Sequence, residues 1–520
     1  MKSKNKSLYT CLFCFFTSVV SIAICSKCSP LYPLNDWVDI NVFYTMGKGM
    51  MSGKILYTDL MDHKGPYVYA VAGIASLIHK DGFFGFFLLE VISMYTFLIY
   101  AKKIMELYVK SGAICIIPIL AAGITASRSF VHGGSLEELS LGIFAYSFYS
   151  ILRCLHTKED MKQNVLLKNG ILAGILFWSK FTIVGFYIAW IAIIFLYFVL
   201  QKNLKKAIES LCFFVGGMVI STIPWIIYFG VNNAVGTWLK VYIWDNIFGY
   251  ARQNDSNILL RMFSALKITV REMKFYSNWG YSLFVALGST GFLLASRNNV
   301  NFLEKVAVFF MELLMSVGIY VGGNVQDYYN LPLAVFSILG LVVVTAGWEW
   351  LQKYLPHKIN TYLVNKKIII GTIICIISFI ISNTGAYLLS SNTYLLGVEK
   401  KNLPQYRFAE LIKKSEDSSI LNYAFLDGGF YTVLQSVPQV RYFCTMNMNY
   451  LDVLQIQTGY IEQQLTNWVV TWKPTVTTEE ELKEIPVLTD YYELVDYQYY
   501  YMEEDMRTYA LYERKKFIVD

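Results

Sequence analysis

Charge is what this chain has least of. Of its 520 residues, 16% are Asp, Glu, Lys or Arg, where a soluble protein of that size carries roughly 25%. The deficit is concentrated, since the runs from Thr182 to Leu200 and from Ile368 to Ile381 contain no charged side chain. The formal net charge is only +6 and no basic stripe stands out, which excludes nucleic acid as a partner. There is no glycine-rich phosphate loop, so no nucleotide site is expected. Cys25 and Cys28 form a lone CxxC with no second pair to complete a zinc site. Cys11, Cys14, Cys115, Cys212 and Cys375 fall in apolar runs and act as small hydrophobes. No internal repeat is visible. No small-residue cleavage site follows the basic Lys2, Lys4 and Lys6 and the apolar stretch from Leu8, so this segment reads as an uncleaved first helix.

What replaces charge is apolar surface: 55% of the chain is hydrophobic and the mean hydropathy is +0.42. A bilayer core demands about 20 apolar residues per helix, because backbone groups there must pair within the segment. Segments near 7–26, 83–101, 111–130, 137–155, 168–180, 182–200, 207–229, 275–296, 304–322, 328–348 and 367–389 qualify, about eleven spans in all. Positive charge marks cytoplasmic loops. With the N-terminus inside, the inner loops hold Lys102, Lys103 and Lys110, then Arg153, Lys158, Lys162 and Lys168. They continue with Lys202, Lys205 and Lys206, Arg297 and Lys305, then Lys353, Lys358, Lys366 and Lys367. The outer connections near 131–136 and 323–327 hold neither Lys nor Arg. Residues 66–79 are apolar but short and suit an interfacial helix. Residues 230–272, with Trp238, Trp244, Tyr250, Arg252 and Arg261, suit a helix in the headgroup zone.

Beyond Ser390 the composition changes. Charged helical stretches (Arg407 to Lys414, Glu479 to Glu484) alternate with β-like runs (Asn422 to Leu426, Trp468 to Trp472, Thr508 to Tyr512). The expected fold class is therefore mainly α: a polytopic transmembrane bundle over 1–390, then a small extracytoplasmic α/β domain over 391–520. Its place is the plasma membrane, multi-pass, with the N-terminus cytoplasmic. Richness in Lys, Ile and Asn points to a bacterial source.

The polar clusters all fall on the expected outer side. The first outer loop has Asp36, Asp39, Asp59, Asp62, His63 and Lys64; the second has His132, Glu137 and Glu138; a later one has Gln326, Asp327, Tyr328 and Tyr329. Group transfer needs a base or metal ligands, together with cations for a phosphate leaving group. Both kinds of residue are gathered there.

One motif is specific. Asp39-Ile40-Asn41-Val42-Phe43-Tyr44-Thr45-Met46-Gly47-Lys48-Gly49, then Gly53, Tyr57 and Asp59, then Asp62-His63-Lys64-Gly65-Pro66 resembles the signature of the glycosyltransferase 39 group. That group holds protein O-mannosyltransferases and lipid A aminoarabinose transferases, within the GT-C superfamily. Weaker likeness lies in Gly133-Gly134-Ser135-Leu136-Glu137-Glu138, in Asp327-Tyr328-Tyr329 before Pro332, and in Gly428-Gly429 through Val437-Pro438 to Arg441-Tyr442-Phe443. The resemblance implies a polyprenyl-phosphate-linked sugar as donor, an extracytoplasmic acceptor and the bilayer as partners. Asp39 matches the family's acidic residue that takes or orients the acceptor hydroxyl, and Lys64 its lysine near the carrier phosphate. Glu137 and Glu138 match a second acidic position without distinguishing between them. Ile40 stands where mannosyltransferases have Glu, which argues against a protein O-mannosyltransferase proper.

Lys180, between two apolar segments, is a second phosphate candidate, with Arg252 and Arg261 behind it. His63 is a donor-side candidate, and Tyr328 and Tyr329 are candidates for the sugar pocket. The cofactor is left open. His63 and His132 with Asp62 or Glu137 are metal-ligand types, but lack paired spacing. The alternative is a transporter or lipid flippase, for which Glu90 and Glu312 inside predicted spans are the argument.

Overall fold

In the computed structural model the described residues are 2–110, 114–250, 257–276, 280–354, 367–448, 452–502 and 505–515. Arg252, Lys358 and Lys366, named above, lie outside them. Every segment expected to span carries helix. Among the described residues six helices are long and apolar enough to cross a membrane: Leu8–Cys25, Phe84–Tyr108, Phe181–Leu200, Leu204–Val231, Leu331–Gln352 and Ile369–Leu389. Pro66–Ile78, Ile114–Thr125 and Gly280–Leu294 are shorter and apolar.

The helices that matter below are α1 (Lys2–Cys25), α2 (Val38–Met51), α3 (Pro66–Ile78), α4 (Phe84–Tyr108), α5 (Ile117–Thr125), α6 (Leu136–Thr157), α7 (Gln163–Phe177), α8 (Gly185–Leu200), α9 (Leu204–Val231), α10 (Val235–Leu239), α11 (Ile258–Tyr276), α12 (Gly280–Leu294) and α13 (Phe302–Tyr320). A π-helical stretch, Lys240–Tyr250, follows α10. Between the segments expected at 168–180 and 182–200, α7 ends at Phe177, and a short 3-10 turn, Phe181–Val184, leads into α8.

The chain packs as two compact units. The first comprises Met1–Ser26, Phe87–Pro224 and Arg252–Thr393; the second comprises Lys27–Phe86, Trp225–Ala251 and Tyr394–Asp520. In the second unit α2 is buried along almost its whole length, which requires a partner with no bulk at the crossing. α3 provides it. A Cβ on Gly47 would stand 2.4 Å from the Gly73 nitrogen and 2.7 Å from the Tyr69 carbonyl oxygen, so only glycine fits.

The C-terminal part of this unit holds a four-stranded sheet in the order β1-β2-β4-β3, with β1 Ile420–Asn422, β2 Trp468–Lys473, β3 Tyr492–Met502 and β4 Asp505–Arg514. β1 runs parallel to β2, and the other pairs are antiparallel. The expected strand at 422–426 is displaced to 420–422, because Ala424 takes a left-handed backbone (φ 65°) that ends it. β3 has no sequence-based expectation. A bulge between Leu494 and Asp496 breaks its alternation, and pairing with β4 supplies what local pattern does not.

Candidate active site

In the second unit Asp39 lies buried in the first turn of α2. The loop from α2 to α3 carries Asp62, His63 and Lys64, and Tyr57 and Tyr69 shape it. The Tyr57 hydroxyl donates to the Lys64 carbonyl oxygen at 2.7 Å. The Tyr69 hydroxyl accepts from the Lys64 backbone N–H at 2.9 Å and donates to Asp62 Oδ2 at 2.8 Å. Lys64 is thus fixed through both of its backbone polar groups. Its Nζ lies 3.3 Å from His63 Nε2 and 5.9 Å from the centre of the Tyr250 ring.

Electrostatics order the three neighbours. Burial alone would raise the Asp62 carboxyl, but His63, Lys64 and the Tyr69 hydroxyl outweigh it and hold the carboxyl down at about 2. Burial, then the Lys64 charge, lowers the His63 imidazole, with Asp62 pulling the other way. An ionised Asp62, a neutral His63 and a lysine ammonium therefore stand in sequence, a fixed cation supported from behind by a carboxylate.

Residues far along the chain brace this loop and α2, and sequence reasoning gave them no role. Thr45 donates to Asp427 Oδ2 at 2.6 Å, and Thr432 donates to Asn41 Oδ1 at 2.9 Å. The buried Lys48 reaches the Tyr431 carbonyl oxygen at 2.9 Å. Arg441 donates to the Tyr57 carbonyl oxygen at 2.8 Å and accepts from the Met61 N–H at 3.0 Å. Tyr57 needs such restraint, since its φ of 65° is an uncommon conformation for a residue with a side chain. Ahead of α2, Lys27 and Asp36 form a fully buried ion pair at 2.5 Å. Tyr394 and Tyr500 add hydroxyl donors to the second oxygen of Asp36.

The first unit holds the other candidates. Lys180 is ion-paired with Glu137, and its Nζ lies 3.6 Å above the Tyr329 ring centre and 5.4 Å from that of Tyr328. These four residues form one cluster, a cation held between a carboxylate and two aromatic faces. Glu138 points elsewhere. Its Oε2 accepts from the Gly134 N–H at 2.9 Å, and Glu90 Oε1 accepts from the same N–H at 2.6 Å. Two successive glycines with positive φ, Gly133 and Gly134, turn that N–H toward both acids, and the Ser135 hydroxyl caps α6 by accepting from the Glu138 N–H. This explains the Gly-Gly-Ser-Leu-Glu-Glu run and separates its two acids: Glu137 faces Lys180, whereas Glu138 closes the turn.

The two acids inside expected spans both accept hydrogen bonds. Ser26 donates to Glu90 at 2.8 and 2.9 Å, and Ser289 donates to Glu312 at 2.6 Å. Among the described residues, no three His, Cys, Asp or Glu side chains gather as a metal site. Cys25 and Cys28 are free thiols.

No protein-family model and no curated protein matches the sequence. The fold, however, has solved counterparts. The chain is similar over nearly its whole length to crystal structures of ArnT from Cupriavidus metallidurans. For the apo state the TM-score is 0.60 at 12% identity, covering 98% of both chains. For the form bound to undecaprenyl phosphate it is 0.57 at 12% identity, covering 96% of this chain and 97% of that one.

Proposed function

We propose that this protein transfers a sugar from a polyprenyl-phosphate donor to an acceptor hydroxyl at the outer face of the plasma membrane. The observation that carries the reading is the end-to-end likeness to ArnT, whose crystal structure holds undecaprenyl phosphate. The placement of a buried Asp39 and a braced Lys64 within one unit supports it.

The reaction is a displacement at the anomeric carbon with inversion. An acceptor hydroxyl gives its proton to the Asp39 carboxylate as its oxygen bonds to that carbon. The bond from the carbon to the phosphate oxygen breaks, and polyprenyl phosphate leaves with its charge balanced by Lys64. In the first unit Lys180, ion-paired with Glu137 and set over Tyr328 and Tyr329, is the other cation that we assign to phosphate. His63 keeps a neutral neighbour next to Lys64, so the site's positive charge stays on one group. On this reading the C-terminal residues expected outside the membrane serve the site through Arg441, which braces the loop that carries Lys64. Against the transporter or flippase reading we set the hydrogen bonds that Glu90 and Glu312 accept within their own unit.

The test is release of labelled polyprenyl phosphate by purified protein in nanodiscs, across a panel of polyprenyl-phosphate pentoses and hexoses with cell-envelope glycan as acceptor. Donor-dependent release supports the transferase. Movement of lipid-linked sugar across liposomes without release supports the flippase instead.

A further inference from the structure

Helix α11 in the first unit has a face that the sugar chemistry does not use. At about 100° per residue, Ala265, Thr269 and Glu272 fall on one side and are buried. Leu259, Phe263 and Val270 share an arc of about 40° and are 71%, 58% and 73% exposed. Immediately beside them, over about 60°, stand the exposed Lys267, Arg271 and Lys274, with Leu260 among them nearer the N-terminus. The helix therefore has three sides: one packed on protein, one apolar and open, one cationic and open.

The charges on the open side are uneven. Arg271 Nε is bonded to the buried Glu272 at 2.6 Å, the one acid of the helix. Lys267 lies 4.6 Å from the centre of the Phe263 ring. Among the described residues no acid pairs with Lys267 or Lys274. An apolar strip adjoining unneutralised ammonium groups is complementary to a surface whose apolar and anionic layers are themselves adjacent, namely acyl chains topped by phosphate headgroups.

We propose that α11 lies in the membrane interface and selects anionic phospholipid, with Leu259, Phe263 and Val270 at the acyl boundary and Lys267 and Lys274 on headgroup phosphates. Arg271, bonded to Glu272, contributes less. The inference does not depend on sugar transfer, and its test is separate from activity.

Full-length protein is reconstituted in nanodiscs of equal phosphatidylcholine and phosphatidylglycerol, re-extracted in mild detergent, and its retained lipid is measured by mass spectrometry. Wild type is expected to retain phosphatidylglycerol preferentially. Lys267→Gln or Lys274→Gln reduces that preference by roughly fivefold each, the worth of one cation near an anionic surface, and raised salt reduces it further. Lys267→Glu with Lys274→Glu abolishes it. Because these side chains are exposed, melting temperatures in pure phosphatidylcholine stay at the wild-type value, and the single variants remain readable if the double one does not fold. No preference in wild type, or the same preference in wild type and all variants, overturns the proposal. Loss on titrating in soluble acidic glycan rather than on changing the lipid would mean that the face belongs to an acceptor instead.

Discussion

Replacing Asp36 by alanine strands a cation inside the protein. Lys27 and Asp36 are 2.5 Å apart with side chains 0% and 1% exposed, and the Tyr394 and Tyr500 hydroxyls also end on this carboxylate, at 3.1 and 3.0 Å. Removing one partner of a buried pair costs about 3–5 kcal/mol, because the remaining charge has no water to return to. Each stranded phenol adds about 1–3 kcal/mol where nothing replaces its acceptor. With the phenols free to turn to other acceptors, the pair sets the scale, and about 4 kcal/mol is the expected loss. At about 2 °C per kcal/mol for a large domain, that is a fall of about 8 °C. Thermal unfolding in nanodiscs, followed by tryptophan fluorescence at one fixed scan rate, measures it. The informative comparison is Asp36→Leu with Lys27→Met, which removes both charges. That double variant recovers at least half of the loss, because the main cost is the orphaned ammonium and not the missing attraction. If Asp36→Ala melts within about 2 °C of wild type, or the double variant is no better than the single one, the reasoning is wrong.

Other outcomes follow from the same geometry. His63 has its folded-state value pushed below the ordinary 6.5 by burial and Lys64, so the folded state binds fewer protons than the unfolded one below that pH. Stability should therefore fall as pH drops beneath 6.5 and flatten in His63→Asn; an unchanged pH profile in the variant refutes it. Asp62, held at about 2, adds stability that persists above about 4 and is lost between there and about 2, visible as an acid limb missing in Asp62→Asn. Arg441→Ala frees the left-handed Tyr57 and the loop behind Lys64, so donor KM should rise about tenfold with kcat nearly kept. Arg441→Lys restores part of it, and a fall in kcat alone would contradict a positioning role. Lys180→Met leaves Glu137 buried and unpaired and should melt well below Lys180→Met with Glu137→Leu. That double variant should be stable yet inactive, and a fully active one would make the pair purely structural.

The bundle was readable because its physics is local. A charge-free stretch such as Thr182 to Leu200 has only one stable way to cross a bilayer, and every such stretch carries helix. Length likewise marks 66–79 as short for a full span, and the helix there is Pro66–Ile78. The supports of the candidate site were not readable, for the opposite reason. Thr45 and Asp427 are 382 residues apart, and nothing near either announces the other. Arg441 was noticed only as part of a family-like run, and its contact with a strained Tyr57 backbone has no sequence pattern. Glu137 and Glu138 looked equivalent side by side, yet successive helix residues point about 100° apart, which sends one to Lys180 and the other to the Gly134 turn. β3 escaped because its bulge disrupts the alternation that marks strands.

The most direct test of the proposed chemistry is single-turnover release of polyprenyl phosphate by wild type and by Asp39→Asn, in nanodiscs, with a donor that wild type consumes. Donor binding and melting temperature are measured alongside. Asn keeps the shape of Asp39 and removes its ability to take a proton, so the rate should fall by about a hundredfold or more with binding and stability unchanged. An Asp39→Asn protein that binds donor and turns over at the wild-type rate would contradict the assignment of Asp39 as the base.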